Sequence, residues 1–567
     1  MKKYDCIVIG SGAGGLSAAL CLARAGKKVL VVEQHYVPGG WCHSFYRNGH
    51  RFSPGVHYIG GLEKGEPTHR LYEGLGIAND LVFFRMNHNA YEHCWIGKER
   101  IDMPAGIDNL YNSLSARFPA EKKGLKKYLT LIKKVNDQLQ VITKMKGLWD
   151  NITIPYRTRH LGKYGLFSLK RVVGWHIKDP LLQKVINIQC GDHGLAPAKA
   201  SFPFHCALMA HYINGGFYPM GGGGAIVKAM TNSIKSNGGE LRTGISVKRI
   251  LSDKVKNKVV ATGIELANGE IIMADHIVSN ADPAVTYGLV GDNNLSNKLR
   301  AKLLKTKYSV TSLIFFVTVD MDVKAAGMDS GNIWMMPEHE MDDFHENIHS
   351  TGTEEREEFR ALFINCSTLK DPASYDGQHH TLEIISFVDY SSFDSFRDKE
   401  TEHSEAYVKF KESLCRKLVN TMEKVIPGIS DHVVQMELGT PMTNEFYIKA
   451  TRGNVYGTEK GFWQTGPFSY GHQGEIKNLY LCGSSILSHG VTGASYSGVK
   501  TAALILKCTE DDLLLPDEDQ TVRIYDAEDD SQWPQWMCQK IEERKRRANQ
   551  ATIKEPGYAG SLYNDYK

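Results

Sequence analysis

Three glycines near the start of the chain, Gly10, Gly12 and Gly15, have the spacing G-x-G-x-x-G, and Glu33 follows them. In this spacing the first glycine permits a tight turn, the second lets a phosphate approach backbone N–H groups, and the third lets a helix touch a strand. A carboxylate such as that of Glu33 can accept hydrogen bonds from both hydroxyl groups of a ribose. These residue types predict a site for the pyrophosphate and ribose of a dinucleotide.

The segments around these residues have the patterns of elements that would position them. Residues 6–9 and 29–32 are apolar runs typical of buried strands, and the second run ends at Glu33. Between them, apolar residues recur at helical spacing from 16 to 23, and Gly26 ends the predicted helix. We therefore expect a strand, a helix and a second strand, with the helix N terminus at the phosphate. For the glycines alone, an ordinary glycine-rich turn is the alternative.

A second glycine pair, Gly39 and Gly40, follows the second predicted strand, and residues 53–60 read SPGVHYIG. With these additions, residues 8–60 resemble the flavoprotein family that joins phytoene desaturases, carotenoid isomerases and all-trans-retinol saturases. They are most similar to the saturase and isomerase branch, through EQH at 33–35, GGWCHSF at 39–45 and GVHYIG at 55–60. The resemblance implies that the dinucleotide is FAD rather than NAD.

Further motifs of this family lie downstream, at 218–225, 245–250, 274–283, 479–484 and 489–494. The resemblance implies that the backbone of Val247 recognises adenine and that a helix beginning near Val491 closes the flavin site. Together, motif and resemblance predict these cofactor-binding residues: Gly10, Gly12, Ala13, Gly14, Gly15, Glu33, Gln34, Gly39, Gly40, Ser44, Val247, Asn280, Gly483, Ser484, Val491 and Thr492.

Two positions depart from the family pattern. Trp41 and Cys42 follow the glycine pair where many relatives have Arg, and Ser484 stands where many have Asp. We therefore expect backbone N–H groups or another cation to meet the phosphate charge.

His57 and Tyr58 are the candidate catalytic residues. The resemblance places their segment beside the isoalloxazine ring, where either side chain could donate or accept the proton that accompanies a hydride transfer. The alternative for His57 is a hydrogen-bonded structural histidine. Tyr447 is a secondary catalytic candidate.

The resemblance implies an FAD-dependent oxidoreductase that acts on carbon–carbon double bonds of a long apolar molecule, such as a carotenoid, a retinoid or another isoprenoid lipid. Saturation, desaturation and cis/trans isomerisation share this scaffold, and the residues do not choose among them. The alternatives are a flavin amine oxidase and a non-redox prenyl carrier like the Rab GDP-dissociation inhibitors. The intact glycines and Glu33 argue against the carrier. No second strand–G-x-G-x-x-G–helix pattern indicates a nicotinamide site.

The expected fold is α/β, with a discontinuous Rossmann-type FAD-binding lobe and an α+β substrate lobe, like the amine oxidases and phytoene desaturases. We expect the FAD lobe to combine 1–75, 215–285 and 470–508, and the substrate lobe to combine 76–214 and 286–469. Residues 509–567 are rich in charge, so a solvated or loosely packed tail is the simplest interpretation. Self-association or membrane contact of this tail is the alternative.

Residues 157–178 form a candidate membrane-contact segment. Apolar residues fall on one helical stripe, Trp175 could lie at a headgroup boundary, and four cations accompany them. A packed surface helix is the alternative. The stripe is Leu166, Leu169, Val173 and Ile177, and the cations are Lys163, Lys170, Arg171 and Lys178.

Composition excludes several classes of protein. The 567 residues include 67 Lys and Arg against 64 Asp and Glu, so no nucleic-acid partner is expected. The 11 cysteines are scattered, with no Cys-x-x-Cys pair, which indicates reduced thiols and no metal centre. We find neither a leader pattern at the N terminus nor a long apolar run. We therefore expect a cytoplasmic protein, either soluble or peripheral on a membrane, of open oligomeric state.

Overall fold

The computed structural model describes residues 3–143, 153–154, 156–338, 342, 348, 352–397, 404–517 and 519–550. Its strands are β1 Lys3–Ile9, β2 Val29–Val32, β3 Phe45–Arg47, β4 His50–Phe52, β5 Val82–Arg85, β6 Glu92–Ile96, β7 Glu99–Met103, β8 Phe217–Pro219, β9 Glu240–Arg242, β10 Val247–Val255, β11 Lys258–Leu266, β12 Ile271–Ser279, β13 Thr311–Val319, β14 Asn332–Met336, β15 Leu362–Cys366, β16 His380–Val388, β17 Val433–Gly439, β18 Leu479–Leu481 and β19 Arg523–Asp526.

The α-helices of the same residues are α1 Ala13–Arg24, α2 Pro67–Gly74, α3 Ile107–Arg117, α4 Lys122–Thr143, α5 Arg159–Tyr164, α6 Leu169–His176, α7 Pro180–Asn187, α8 Phe202–Tyr212, α9 Gly223–Ser236, α10 Pro283–Val290, α11 Asn297–Lys305, α12 Ser367–Lys370, α13 Glu405–Met422, α14 Pro441–Ile448, α15 Gly490–Leu506, α16 Glu510–Leu513 and α17 Gln535–Gln550. None of these helices is both long and apolar enough to cross a membrane. All 11 cysteines are described, and each is free.

The first sheet has the strand order β10-β11-β12-β1-β2-β9. Strand β18 pairs in parallel with the C-terminal residues of β12, from Ile277 to Ser279. Strands β12, β1, β2 and β9 run parallel, because α1 connects β1 to β2 across one face. The strands come from three separate stretches of the chain, within 1–75, 215–285 and 470–508. These stretches are the ones assigned above to one lobe, whose boundaries stay a prediction.

Helix α1 packs against α15 at very short range. A Cβ atom on Gly498 of α15 would lie 2.0 Å from the carbonyl oxygen of Gly14, so only glycine fits there. Ser495 and Ser497 of α15 are also buried, and the Ser497 hydroxyl accepts a hydrogen bond from the backbone N–H of Gly483 at 3.1 Å. The contact holds the N-terminal ends of both helices at the same edge of the sheet, where the predicted site lies.

The second sheet has the order β17-β13-β16-β15-β14-β6-β7 and is antiparallel except for the β14–β6 pair. Its central strand β13, TSLIFFVTV, is buried along its whole length, as expected for β-branched and aromatic residues between two layers. Helices α4 to α8 pack together beside it around one apolar cluster that also includes Trp334 and Phe363. This second body faces the first across the predicted cofactor site.

The segment after 508 differs from the solvated tail predicted above. Strand β19 pairs in parallel with β5, in a third sheet of order β19-β5-β8. Helix α17 buries Met537 and Ile541 against Phe84 and Ala373. The charged residues occupy the outer faces of these elements, and the few apolar ones provide the contact. Residues 551–567 lie outside the described residues.

The segment 157–178 also differs from a single surface helix. It forms two short helices, α5 and α6, because Gly165 ends the first and Ser168 precedes the second. Three residues of the predicted stripe, Leu169, Val173 and Ile177, are buried in the core. Leu166 instead lies between the helices and is 72% exposed, beside Trp175 at 45%.

Candidate functional site

One cavity of about 1340 Å³ extends from the glycine loop of the first sheet to the aromatic wall of the second. Its volume exceeds the roughly 300–1,000 Å³ typical of a single small-ligand pocket. The predicted cofactor residues that line it are Gly10, Gly12, Ala13, Gly14, Glu33, Gln34, Gly39, Gly40, Val247, Asn280, Gly483, Ser484, Val491 and Thr492, together with both catalytic candidates, His57 and Tyr58. The roles of these residues stay predictions.

The glycine loop joins β1 to α1 at one end of the cavity. Gly10 has a φ of 90°, and a Cβ atom on Gly15 would lie 2.1 Å from the carbonyl oxygen of Gly10. Gly15 thus lies behind the loop, outside the cavity lining, where it allows helix and strand to touch. The cap of α1, Gly12, has no side-chain hydrogen bond, so the helix start faces the cavity with backbone donors.

Glu33 stands at the end of β2 and faces the same cavity. Its Oε2 accepts hydrogen bonds from the backbone N–H and the hydroxyl of Ser11, at 2.8 and 2.7 Å, and its Oε1 accepts from the backbone N–H of His35 at 2.8 Å. Three of the roughly four acceptor sites of this carboxylate are thus used, and Oε1 retains one for a further donor. Gln34 donates through Nε2 to the carbonyl oxygens of Phe446 and Tyr447, so its side chain ties α14 to this end of the cavity.

The start of α15 lies beside the glycine loop, because a Cβ atom on Gly14 would be 2.8 Å from the carbonyl oxygen of Ala494. The cap of α15, His489, makes no side-chain capping bond, and Gly490, Val491 and Thr492 line the cavity. Next to it, the buried Lys460 donates through Nζ to the carbonyl oxygen of Ser484 at 2.6 Å. Lys460 was not found by sequence analysis, and it lies beside the position where relatives of the resembled family carry Asp.

Ser44 lies outside the cavity lining, in contrast to the prediction. Its hydroxyl accepts a hydrogen bond from the backbone N–H of Gly224 at 2.9 Å, at the start of α9. The same helix start is bound by Asp371, which accepts from Gly221 at 2.9 Å. The structure thus shows a contact of Ser44 with the start of α9, and its predicted contact with the cofactor stays a prediction.

A bound FAD fits this donor set, as far as the described residues show. The loop offers backbone donors without a capping side chain, Glu33 offers a carboxylate, and Arg70, Lys449 and Lys500 supply the cations of the lining. These three cations come from other parts of the chain than Trp41 and Cys42, the positions after the glycine pair where many relatives have Arg. Whether backbone donors or one of these cations meets the phosphate charge stays a prediction.

His57 lies in the cavity wall with both ring nitrogens buried and without a hydrogen-bond partner among the described residues. Burial, reinforced by the charge of Lys370, lowers its pKa to about 3. At physiological pH such an imidazole is neutral. It is a weak base, and the imidazolium form that would act as an acid is scarcely populated. The structure therefore disfavours His57 as the proton donor of the pair predicted above.

Tyr58 is placed more favourably. Its hydroxyl donates to Oδ2 of Asp192 at 2.8 Å, and its ring stacks on Tyr212 with centroids 4.2 Å apart. Burial raises the pKa of Tyr58 well above its usual value and raises the pKa of Asp192 to about 7. Asp192 lines the cavity too. A phenol and a carboxyl group that can hold a proton near neutral pH thus face the same space.

The remainder of the cavity wall is apolar and aromatic. It is contributed by β14, β15, β16 and α8, and includes Phe204, Leu208, Tyr212, Trp334, Met336, Phe363, Ile385 and Phe387. Tyr447, the secondary catalytic candidate, lies near the Glu33 end, with its ring 4.9 Å from that of His35. That position favours contact with the ribose or adenine end rather than the reacting ring.

Two groups among the described residues bring possible metal ligands together, although no metal centre was predicted. They are Cys190, His193 and His205, all buried, and His50, Asp376 and His379 near the surface. His193 and His205 already form a 3.1 Å hydrogen bond, and His379 bonds Asp376 at 2.9 Å. The prediction of no metal stays a prediction.

Comparison with known proteins agrees with this geometry. Residues 13–506 match the family model described as flavin containing amine oxidoreductase. All-trans-retinol 13,14-reductase of Danio rerio is 30% identical over 529 residues, which span 89% of this chain and 86% of that protein. The chloroplastic prolycopene isomerase of Daucus carota is 26% identical over 518 residues, spanning 88% and 80%.

A solved structure gives the same fold. The crystal structure of an oxidoreductase from Methanosarcina mazei superposes with a TM-score of 0.58 at 18% identity, over 88% of this chain and 99% of that one. At this identity the likeness concerns the fold alone. The mixed α/β fold predicted from the sequence is confirmed.

Proposed function

The chain belongs to the family of flavin-containing amine oxidoreductases, and from that membership we propose that it uses FAD to act on carbon–carbon double bonds of a long apolar polyene or isoprenoid lipid. As a member of this enzyme family it is a flavin-containing oxidoreductase, which removes the non-redox prenyl carrier from consideration. FAD, rather than another flavin, is the proposed cofactor because Glu33 and the glycine loop suit an adenosine ribose and a pyrophosphate.

The observation that carries the proposal is that two kinds of wall belong to one cavity. One of its ends has the backbone donors and carboxylate of a dinucleotide site, and the other has the aromatic wall of Trp334 and Phe363. A long apolar molecule gains free energy by leaving water for such a wall, at roughly 25 cal/mol per Å² of apolar surface. Its double bonds would then lie against the flavin ring, which supplies or accepts a hydride when bound.

The chain's own residues would bind, orient and supply protons. Backbone N–H groups at the start of α1 would hold the pyrophosphate, and those at the start of α15 would meet the flavin end of the cofactor. Tyr58 and Asp192 line the same cavity and would supply a proton to a substrate carbon there. His57, uncharged and unpartnered, shapes the wall between them and Lys370.

We further propose that the protein contacts a membrane surface through the exposed Leu166 and Trp175. The exposed cations Lys163, Arg171 and Lys178 surround them, and Arg171 lies over the ring of Trp175 at 5.6 Å. Such a mixture of aromatic, aliphatic and cationic side chains suits the interface of an anionic bilayer. A water-insoluble substrate gives this contact a purpose, since it must be drawn out of a bilayer.

The purified protein tests the proposal directly. We expect a visible flavin spectrum, FAD on mass spectrometry of the released cofactor, and an isoprenoid or polyene in the organic extract. The extract of a variant with a filled cavity, Ala207→Trp, is the control and is expected to lack the lipid. Protein that carries FMN, or FAD with no retained lipid in either sample, contradicts the proposed pairing of cofactor and substrate.

A further inference from the structure

The hydroxyl of Tyr58 faces two buried carboxyl groups that come from different parts of the chain. One is Asp192, which accepts its hydrogen bond at 2.8 Å and lines the cavity. The other is Glu92, the first residue of β6, which is fully buried and does not line the cavity. Tyr58 thus lies between a carboxyl group that can meet the substrate and one that cannot.

The two oxygens of Glu92 have different surroundings. Oε2 accepts hydrogen bonds from Asn332 Nδ2 at 3.0 Å and from Trp334 Nε1 at 2.7 Å. Oε1 is buried and has no partner with hydrogen-bond geometry among the described residues. The Tyr58 hydroxyl lowers the pKa of Glu92. Geometry places both in one buried cluster, because Lys370 donates to Asn332, Asn332 donates to Glu92, and the Lys370 nitrogen lies 5.8 Å from the centroid of the Tyr58 ring. If Oε1 of Glu92 carries a proton, a rotation of the carboxyl group towards Tyr58 would let Oε1 donate it to the Tyr58 oxygen.

Burial and the charge of Asp192 raise the pKa of Glu92 to about 8, whereas burial alone raises that of Asp192 to about 7. The two groups repel each other's charge, so the pair retains a proton at neutral pH. The other titratable groups that face the pair are Tyr91, Cys94, Cys190, Tyr212, Tyr456, His489 and Lys370.

We propose that Asp192 delivers the proton to a substrate carbon during reduction of a double bond, and that Glu92, acting through the Tyr58 hydroxyl, is the store that restores it. This inference rests on the proposed function, and it selects saturation among the three reactions left open above. Asp192 is the catalytic residue of this pair. Glu92 acts through Tyr58 and touches no substrate.

The step balances in atoms and charge. With a reduced flavin bound to supply the hydride for one carbon of the double bond, the neighbouring carbon would take the proton of Asp192. The carboxylate left on Asp192 takes the Tyr58 proton while the Tyr58 oxygen takes the proton of Glu92. The product gains two hydrogens, and the negative charge ends on Glu92, from which solvent must later restore the proton.

The surroundings of Glu92 are suited to that final charge. Asn332 and Trp334 already donate to Oε2, and Asn332 in turn accepts from the fully buried amino group of Lys370, whose pKa burial lowers to about 7. The same amino group donates to the carbonyl oxygen of His57 at 2.8 Å, which fixes the backbone next to Tyr58. Lys370 therefore acts as a positioning residue, because it links the proton store to the segment that carries Tyr58.

An infrared titration of the flavin-bound protein, without substrate, tests the store independently of activity. We expect carboxylic C=O absorption that is lost with rising pH, with one component near pH 7 and another near pH 8. Glu92→Gln removes the component near pH 8, and Glu92→Asp restores a titrating carboxyl group. Glu383→Gln is the matched control, since Glu383 is a buried carboxyl group with a pKa of about 7 that accepts from Ser53 instead.

A kinetic arm then tests the use of the proton. With reduced flavin and a polyene in the absence of oxygen, Asp192→Asn is expected to slow reoxidation by about 10²–10⁴-fold. In the wild type, the reoxidation rate is expected to decrease with rising pH with a midpoint near pH 8. Glu92→Gln is expected to move this midpoint to about pH 7, and Glu383→Gln is expected to leave it unchanged.

The two arms separate the two possible failures. A wild-type protein that reacts with no polyene contradicts the proposed function, whatever the infrared result. The second failure concerns Glu92 alone. If polyene is reduced but Glu92→Gln has the same infrared titration or the same pH profile as the wild type, the proposed role of Glu92 is wrong and the proposed function stands. A product of unchanged mass with altered double-bond geometry also overturns the store, since isomerisation needs no net proton.

Discussion

Glu33 illustrates how one side chain can serve two purposes at the residue scale. Its carboxylate is 7% exposed, faces the cavity and accepts three hydrogen bonds from Ser11 and His35. These bonds hold the glycine loop against the end of β2 before any ligand arrives. Pre-organisation of this kind lowers the entropy cost of binding a long cofactor.

Replacing Glu33 by Ala removes the acceptor for the ribose hydroxyls and for the loop. We expect the loss of about 1–3 kcal/mol of FAD binding free energy, or about 5- to 150-fold in dissociation constant. Fluorescence quenching in a titration of the apoprotein with FAD measures it. Glu270→Ala, which removes an exposed carboxylate paired with Arg242, is the control with unchanged affinity. Equal affinity of both variants would remove Glu33 from the cofactor site.

At the scale of elements, the last described strand and helix belong to the folded body. Helix α17 closes a small apolar cluster through Met537, with Phe84 of β5 beneath it. Arg544 of the same helix donates through Nε to the carbonyl oxygen of Ser374 at 2.7 Å. These contacts connect the C-terminal segment to the strand that pairs with β8, next to the glycine run that begins α9.

Met537→Ala would leave a cavity in this cluster. We expect a loss of about 2–5 kcal/mol of stability, seen as a lower thermal midpoint of the flavin-bound protein. Gln539→Ala, two residues along on the exposed face, should keep the wild-type midpoint. Equal midpoints for the two variants would mean that α17 does not pack as the structure shows.

The α5–α6 pair carries the proposed membrane contact. Changing Lys163 and Arg171 to Gln should weaken the partition constant for anionic vesicles, measured by co-sedimentation, by about 30-fold, because each cation near the surface contributes about 1 kcal/mol. The double change Lys254→Gln and Lys258→Gln, at exposed positions of the β10–β11 hairpin, is the control for net charge. Equal sedimentation of the two variants would assign α5 and α6 to surface packing alone.

The elements that sequence patterns predicted well are those with local signals. The glycine spacing, the strand ending at Glu33 and the helix between them are contiguous, so their geometry follows from neighbouring residues. The prediction of a solvated C-terminal tail failed because charged residues dominate the composition of this segment. A few apolar residues, Met537 and Ile541, pack it against the rest of the protein. In α5–α6, Leu169 and Val173 follow a helical stripe that faces inward, and periodicity does not say which side water occupies.

The proton-bearing residues were beyond sequence analysis for a different reason. Glu92, Asp192 and Lys370 lie far apart in the chain and meet only when β6, the turn after α7 and α12 are assembled. Asp192, between Gly191 and His193 in a turn, offered a faint local signal. Burial, which raises the pKa values of both carboxyl groups, is a property of the assembled core and has no local pattern.

At the scale of the whole molecule, the 1340 Å³ cavity is lined from both large sheets. The first sheet brings together the predicted cofactor residues from three stretches of chain, and the second contributes Trp334 and Phe363 to the aromatic wall and carries Glu92, whereas Tyr58 and Asp192 come from segments outside both sheets. Because Trp334 donates to Glu92 and also lines the cavity, the wall that would hold the substrate is hydrogen-bonded to the proton store. Binding and proton supply are thus properties of one assembly.

The reaction of the reduced flavin is the most direct test of this account. The flavin-bound protein is reduced without oxygen and mixed with an all-trans polyene alcohol, and flavin reoxidation is followed together with the mass of the product. The account predicts reoxidation with a product that gains two hydrogens. Reoxidation by no polyene, together with oxygen consumption on addition of amines, would contradict it and make the protein an amine oxidase.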